Sequence, residues 1–520
     1  MALQTKETKA QRLERIKKEK DGLDVLANIL KYAKTGEDID SEDIDRFKWY
    51  GLYTQNKNLQ GDDTNTYYML RIKIEQGYLS TEQLFEIANI SKEFARDTAD
   101  ITTRQDIQLH WIDIKNLPQI FSRLQKVGIN TFSSGDCPRN IVSCPVNGSD
   151  ANEIDDVRDI VHALNDLYRA NYEFSNLPRK FKIGVGGCNK HCISHEVQDL
   201  SFTAVQRDSG EILFSVAIGG GQASNKHIAS HIGYIQRQNI VPTAKAIVTL
   251  YSEHGRRDNR SKARLGHLLE QWSVEKFLLE LAKISDIKFE VFDNISFTPY
   301  PRRSHFGIIQ TKEDGYNNIG YALTSGKIGT KIYKLAQTLK LYNIRGIALT
   351  TTQNIIVIGV QKGLTDAFTH TLDVAIELST QPSVFQARTL ACTGLNFCKM
   401  AISETKNLSI DTVKYLNEKF PDFVEPISIS INGCPNACAH PHIVDLGFIG
   451  AMLKRGEERV SGFNLLVGGH LNGVESKFAI KTPVKVTPEE VPIFIESIIL
   501  EYEKSLNSNF QTFILEKYLN

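Results

Sequence analysis

The chain repeats itself, and that constrains its fold more than any single motif does. Gly77-Tyr-Leu-Ser-Thr opens a helical stretch that ends in Ile101-Thr-Thr-Arg-Gln, and Gly326-Lys-Ile-Gly-Thr opens another that ends in Leu349-Thr-Thr-Thr-Gln. The offset is 249 residues at the glycine (326−77) and at the second threonine (352−103). In the first copy Ser80 and Gln83 have the spacing of a capping box, with Leu84, Ile87 and Ala88 following at helical intervals. In the second, Ile332, Leu335, Ala336 and Leu339 make the apolar stripe. Both helices lead into strand-like runs, Ile107-Gln-Leu-His-Trp-Ile and Ile355-Ile-Val-Ile-Gly-Val. A cysteine segment repeats too: Gly187-Cys188-x3-Cys192-x6-Asp199-Leu200 mirrors Gly433-Cys434-x3-Cys438-x6-Asp445-Leu446 at an offset of 246, and Cys137-x6-Cys144 loosely mirrors Cys392-x5-Cys398. Duplication on this scale predicts two similar halves about a pseudo-two-fold axis. A cofactor between them can take ligands from one half and substrate-binding groups from the other.

The repeats divide the 520 residues into four parts. Residues 1–60 are an arm that contains a surface helix. Residues 61–135 and 295–380 pair as an α+β unit, and residues 136–294 and 381–520 are two α/β modules. Lys+Arg and Asp+Glu both number 61, so the formal charge is zero. That argues against a mainly electrostatic nucleic-acid binder. No stretch reaches the roughly 18 apolar residues of a membrane span, and Met1 to Lys20 lacks the apolar core of a signal peptide. Eight cysteines in such a chain point to a reducing, cytoplasmic setting.

Four of those cysteines form two pairs, Cys392-x5-Cys398 and, 36 residues on, Cys434-x3-Cys438. Four thiols in a reducing compartment read as a metal or cluster site before they read as disulfides. The set does not match the paired C-x2-4-C of structural zinc or the bacterial ferredoxin run. With Asp445-Leu-Gly-Phe behind it, the set resembles the sirohaem-dependent nitrite/sulfite reductase family, a resemblance that runs from Trp49 to about Asn520. Asn432 departs from the Ser, Thr or Val usual before the Gly-Cys.

The resemblance implies ferredoxin-like paired half-domains and two cofactors, a 4Fe-4S cluster on Cys392, Cys398, Cys434 and Cys438 and a sirohaem whose iron shares the Cys438 sulfur. It implies an anion pocket of Arg71, Arg139, Lys180 and Lys182, and cations of this kind suit oxyanions and proton delivery. If Lys180-Phe-Lys182-Ile183 is a strand, both lysines share one face; the plain alternative is a solvated strand face. For the macrocycle it implies Thr103, Arg104 and Gln105, with Arg257, Asn259, Lys262 and Arg264 of the basic run after Tyr251, and Asn436; Gln386 and Arg388 are weaker candidates. Read plainly, that basic run is an exposed loop. The Lys-x-Lys pattern resembles the sulfite-reducing branch, whereas plant-type nitrite reductases tend to carry Asn at the second position.

The expected reaction is six-electron reduction of sulfite to sulfide, with nitrite to ammonia as the alternative and a zinc-holding, non-catalytic scaffold as a remote one. No flavin or NADPH segment is present, so ferredoxin or another low-potential donor is the expected partner, and a monomer is the default state. Cys137, Cys144, Cys188 and Cys192 remain open. They would hold a second cluster, or be small buried residues left from the duplication. A third reading follows from members of the family that carry a Tyr–Cys link, which Tyr53 and Cys137 match.

Overall fold

A computed structural model describes residues 7–132, 134–188, 192–224, 226–292, 305–507 and 509–519. The sequence boundary at 294/295 lies outside them. Two antiparallel sheets come from the paired unit. The first runs β1-β2-β5-β4, with β1 (Leu52–Thr54), β2 (Tyr67–Ile72), β4 (Asp100–Ile101) and β5 (Ile107–Asp113), and β3 (Tyr78–Ser80) lies between β2 and β4 in the chain. Two parallel-cored modules carry the rest. One has order β10-β9-β8-β7-β6, from β6 (Val142–Ser143), β7 (Ile183–Gly186), β8 (Leu200–Gln206), β9 (Ile212–Ile218) and β10 (Ser230–Ile235). The second paired sheet is β11 (Gly307–Gln310), β12 (Tyr316–Tyr321), β14 (Ile355–Gln361) and β13 (Gly346–Leu349), closed by β3. The last module aligns β15 (Thr389–Ala391), β16 (Ile429–Asn432), β17 (Leu446–Arg455), β18 (Glu458–Val467) and β19 (Ile480–Val486). In each module three strands run parallel and two then return antiparallel.

The two halves exchange segments. β3 leaves its own sheet and pairs with β13, Ser80 opposite Gly346. In return Lys327, the residue 249 positions after Tyr78, bridges Asp100, and the Ile328 and Gly329 amides donate to the Ala99 carbonyl at 3.1 and 3.0 Å. One apolar core therefore spans both copies, from Leu84 and Ile87 to Leu335 and Leu339. The Ser80–Gln83 capping box forms, and the helix Thr81–Phe94 follows it. The arm is no free appendage: Val25, Ile29 and Phe47 join that core, and Lys17 reaches across to Asp136 and the Leu177 carbonyl.

The register differs from the sequence reading by one residue in the threonine loop. Thr102 and Thr350 play the same part, each hydroxyl accepting from the amides two and four residues on. Gln105 (φ 58°) and Gln353 (φ 62°) match as well, an offset of 248. The cysteine pairing shifts likewise. Cys392 follows β15 and Cys144 follows β6, so Cys144, not Cys137, is the counterpart of Cys392. Among the described residues no helix is long and apolar enough to cross a membrane.

Candidate redox and anion site

Phe181 and Ile183 are wholly buried in the module core, so the alternation of the strand turns Lys180 and Lys182 to the opposite face. Phe181 bridges Pro138 in parallel, and the Arg139 amide donates to the Phe181 carbonyl at 2.8 Å. Arg139 thus lies on the strand beside the two lysines. Arg71 enters from β2, its guanidinium 5.7 Å from the Tyr53 ring centre, near enough for cation–π attraction. Arg104 follows β4 and donates to Gln198 Oε1 at 3.0 Å and to the carbonyls of Asn140 and Ile183.

These cations press on one another. Burial, then Lys182, Arg264 and Arg139, pushes Lys180 well below the usual lysine value. Burial, then Arg104 and Arg264, lowers Lys182 to about 7, and burial lowers Arg104 to about 10. Asp199 offsets part of this charge. It is fully buried, takes two bonds from Arg264, and accepts the Lys182 amide at 2.7 Å. The Nε atoms of Arg104 and Arg139 are buried with no hydrogen-bond partner among the described residues. Unpartnered buried guanidinium nitrogens are costly unless an anion meets them, so the pocket fits an anionic occupant.

Across the pocket lie the four thiols. Cys392 leaves β15, and its sulfur accepts the Gly433 amide at 3.1 Å. A Cβ on Gly433 would stand 2.8 Å from the Ser403 carbonyl, so glycine permits this approach. Burial and then Cys438 raise the Cys392 thiol to about 11; burial raises Cys398 and Cys434 too, with the other thiols of the set adding to it. The three thiols that burial holds neutral, Cys392, Cys398 and Cys434, need a cation to become ligands. Cys438 is the exposed one, and its charge acts on Lys182 from the other module. Asn432, the departure from the family pattern, has a role here: its Oδ1 accepts the Ala439 amide at 2.8 Å and braces the cysteine loop. Asn436 is exposed beside Cys434.

The expected macrocycle residues divide. Thr103 donates to the Cys438 carbonyl at 3.0 Å, and Arg104 and Arg264 lie among the anion cations. Gln105 does not face the pocket. It is wholly buried and clamps backbone, donating to the Ser143 and Leu349 carbonyls at 3.0 and 2.7 Å and accepting the Ser143 amide at 3.0 Å. Gln353 mirrors it on Ile101 and Ala391. Arg257 is held by Glu14 and by the carbonyls of Asn176 and Ser252; Asn259 caps the turn after it; Lys262 is exposed. Arg257 thus ties the loop to the arm, and Asn259 shapes the turn beside it. Asp199 escaped the sequence reading as a positioning residue. Its signal was the mirrored Asp445, which accepts the Ser428 amide at 2.8 Å as Asp199 accepts that of Lys182.

Among the remaining cysteines, Cys137 stands apart: its thiol donates to the Ser134 carbonyl, and burial raises it to about 12. Burial also works to raise the Tyr53 phenol, but Arg139, Arg71 and a hydrogen bond with Ser134 outweigh it and draw the phenol below its usual value. Cys144, Cys188 and Cys192 gather instead as a separate buried group.

A pocket of mutually opposed cations that opens on a four-thiol centre defines a metal-cluster oxidoreductase acting on a small anion. The nitrite and sulphite reductase 4Fe-4S domain family matches residues 134–289 and 387–510, and the nitrite/sulfite reductase ferredoxin-like half domain matches residues 60–127. A sulfite reductase (ferredoxin) of Mycobacterium tuberculosis H37Rv is 34% identical over 514 residues, 94% of this chain and 92% of that protein. A ferredoxin–nitrite reductase of Synechococcus elongatus is 31% identical over 513 residues, 95% and 96% of the two chains. The solved structure of Mycobacterium tuberculosis NirA superposes with a TM-score of 0.90 at 31% identity, covering 97% of this chain and 96% of that one. The chain belongs to the nitrite and sulfite reductase family.

Proposed function

We propose that this protein reduces sulfite to sulfide with electrons from ferredoxin or a similar low-potential donor, in the cytoplasm and as a monomer. The observation that carries the reading is the lysine pair on one strand face, Lys182 with a pKa of about 7 and under the charge of Cys438. Cys392, Cys398, Cys434 and Cys438 would hold the 4Fe-4S cluster, and Thr103, Arg104, Arg264 and Asn436 would meet the sirohaem. When bound, these groups supply the electrons and an iron for the substrate sulfur.

The chain's own residues supply charge and protons. Arg71 and Arg139 hold sulfite oxygens through charge-assisted hydrogen bonds, each worth about 1.5–3 kcal/mol. Lys182, lowered to about 7 by burial and then by Arg104 and Arg264, releases a proton near neutral pH, where a general acid works best, and Lys180, lowered by burial and then by Lys182, stands beside it as a second donor. Each oxygen leaves as water after taking two such protons. The neutral amine is then recharged from solvent, and Arg104 and Arg139 keep it from holding that proton tightly. Asp199 fixes the Lys182 backbone, so the ammonium is aimed and does not wander.

The test is steady-state kinetics with reduced ferredoxin and with sulfite or nitrite, compared by kcat/KM. A higher value for sulfite, with sulfide as product, is expected. A higher value for nitrite would overturn the substrate assignment.

A further inference from the structure

We infer that Cys144, Cys188, Cys192 and His305 form a tetrahedral zinc site that is separate from the redox centre. The three sulfur atoms lie within 4.8 Å of one another, and all three residues are buried. The Cys188 and Cys192 sulfurs are 3.9 Å apart, and His305 Nε2 is 3.3 Å from the Cys192 sulfur. With Zn–S near 2.3 Å and Zn–N near 2.0–2.1 Å, a tetrahedral ion separates two sulfurs by about 3.8 Å and a sulfur from a nitrogen by about 3.6 Å. The three thiols are already close to that shape, and His305, beside the Cys192 sulfur but outside the 4.8 Å group, would complete it by a shift of its ring. Cys188-x3-Cys192 also has the ligand spacing of structural zinc, with the other two ligands coming from distant parts of the chain.

The same geometry argues against a second 4Fe-4S cluster. Each thiolate of a cubane binds its own corner iron, so the sulfurs stand well apart. Cys392, Cys398, Cys434 and Cys438 behave in that way, since among the described residues no three of their sulfurs lie within 4.8 Å of one another. The Cys144 group is the pseudo-symmetric image of Cys392, Cys434 and Cys438, contracted to the size of a single ion, with an imidazole as its fourth donor. Three thiols converging in one place, with a histidine beside one of them, is also more than duplicated core residues need.

The surroundings assign the ion a structural role. Val142, Val146, Ile193, Ile309, Ala348 and Ile356 enclose the group. Four protein ligands leave no open position for substrate, which is the mark of a structural site. Thr351 donates to the Cys192 carbonyl at 2.7 Å, and a Cβ at Gly320 would lie 1.6 Å from the His305 carbonyl, so both ligands are seated on the second half-domain. The ion therefore staples the anion module to that half-domain. On binding, the three thiols release their protons to solvent and the imidazole binds neutral, giving a site of net charge −1.

The experiment is metal analysis and zinc-edge X-ray absorption on the purified, cofactor-loaded enzyme. About one zinc per chain is expected, with three sulfurs near 2.3 Å and one nitrogen near 2.0–2.1 Å. His305→Ala should lose most of its zinc on dialysis against a chelator and unfold at lower temperature, with its visible spectrum kept. Absence of zinc, a shell of oxygen and nitrogen alone, or iron in the excess of a second cluster would each overturn the assignment. If His305→Ala does not fold, the wild-type absorption data decide alone.

Discussion

Replacing Lys182 with methionine separates the needs of the fold from those of the reaction. Methionine keeps most of the side-chain length and removes the charge. In protein prepared without sirohaem, burial and the neighbouring arginines lower Lys182 from the ordinary 10.5 to about 7. At about 1.4 kcal/mol per pKa unit that fall corresponds to roughly 5 kcal/mol, and partial exposure reduces it to about 2–3 kcal/mol. The sign follows from proton binding. Between pH 7 and 10.5 the native chain holds fewer protons at this site than the unfolded chain, so stability rises with pH there. Below pH 7 the charged ammonium imposes its full cost. Lys182→Met should therefore unfold a few degrees above wild type at pH 6, and the gain should shrink towards pH 10. In the loaded enzyme the same change should lower kcat/KM for sulfite by about 10- to 150-fold, the value of one charge-assisted contact of about 1.5–3 kcal/mol. Thermal unfolding across pH, read beside steady-state rates, checks both. A variant less stable than wild type at pH 6, a gain that does not change with pH, or undiminished sulfite turnover would refute the reasoning.

Asp199→Asn leaves the buried Arg264 without its carboxylate and should cost about 3–5 kcal/mol, seen as a lower unfolding temperature. Gln105→Leu strands the Ser143 amide and the Ser143 and Leu349 carbonyls in the core; a loss of roughly 3 kcal/mol or more is expected, with the sirohaem spectrum of the folded fraction unchanged. Loss of sirohaem without loss of stability would return Gln105 to the macrocycle. Cys398→Ser should abolish the cluster's iron and electron transfer from ferredoxin, measured as iron content and turnover.

What could be read from the sequence was what depends on local spacing. The capping box at Ser80 and the lysine alternation follow from intervals of two or three residues and the duplication from constant offsets of 246 and 249, all of which the chain prints directly, while the four cysteines were joined into one set by the family resemblance. What could not be read depends on which groups meet across long separations. Gln105 and Arg104 are neighbours of similar polarity, yet one locks two backbone segments together and the other faces the pocket. The difference is set by residues 38 and 244 positions away from Gln105. Nothing near Arg257 in the sequence announces its partner Glu14, which lies 243 positions earlier in the arm. Cys137 took the place of Cys144 in the repeat because gaps in a duplicated chain shift the register, and only strand order restores it.

The exchanged strand sets a schedule for the newborn chain. The partner of β3 begins 266 residues after β3 ends (346−80), so at synthesis rates of about 5–20 residues per second β3 waits roughly 15 to 50 s on the ribosome for it. Through that interval a hydrophobic edge remains open to other chains, which is the usual route to misassembly. Closing so long a loop also places this step late in folding. A first half released alone would keep that edge permanently, so fusion of the two copies into one polypeptide, which delivers the missing strand in a fixed ratio and at close range, protects each copy from its own unfinished sheet.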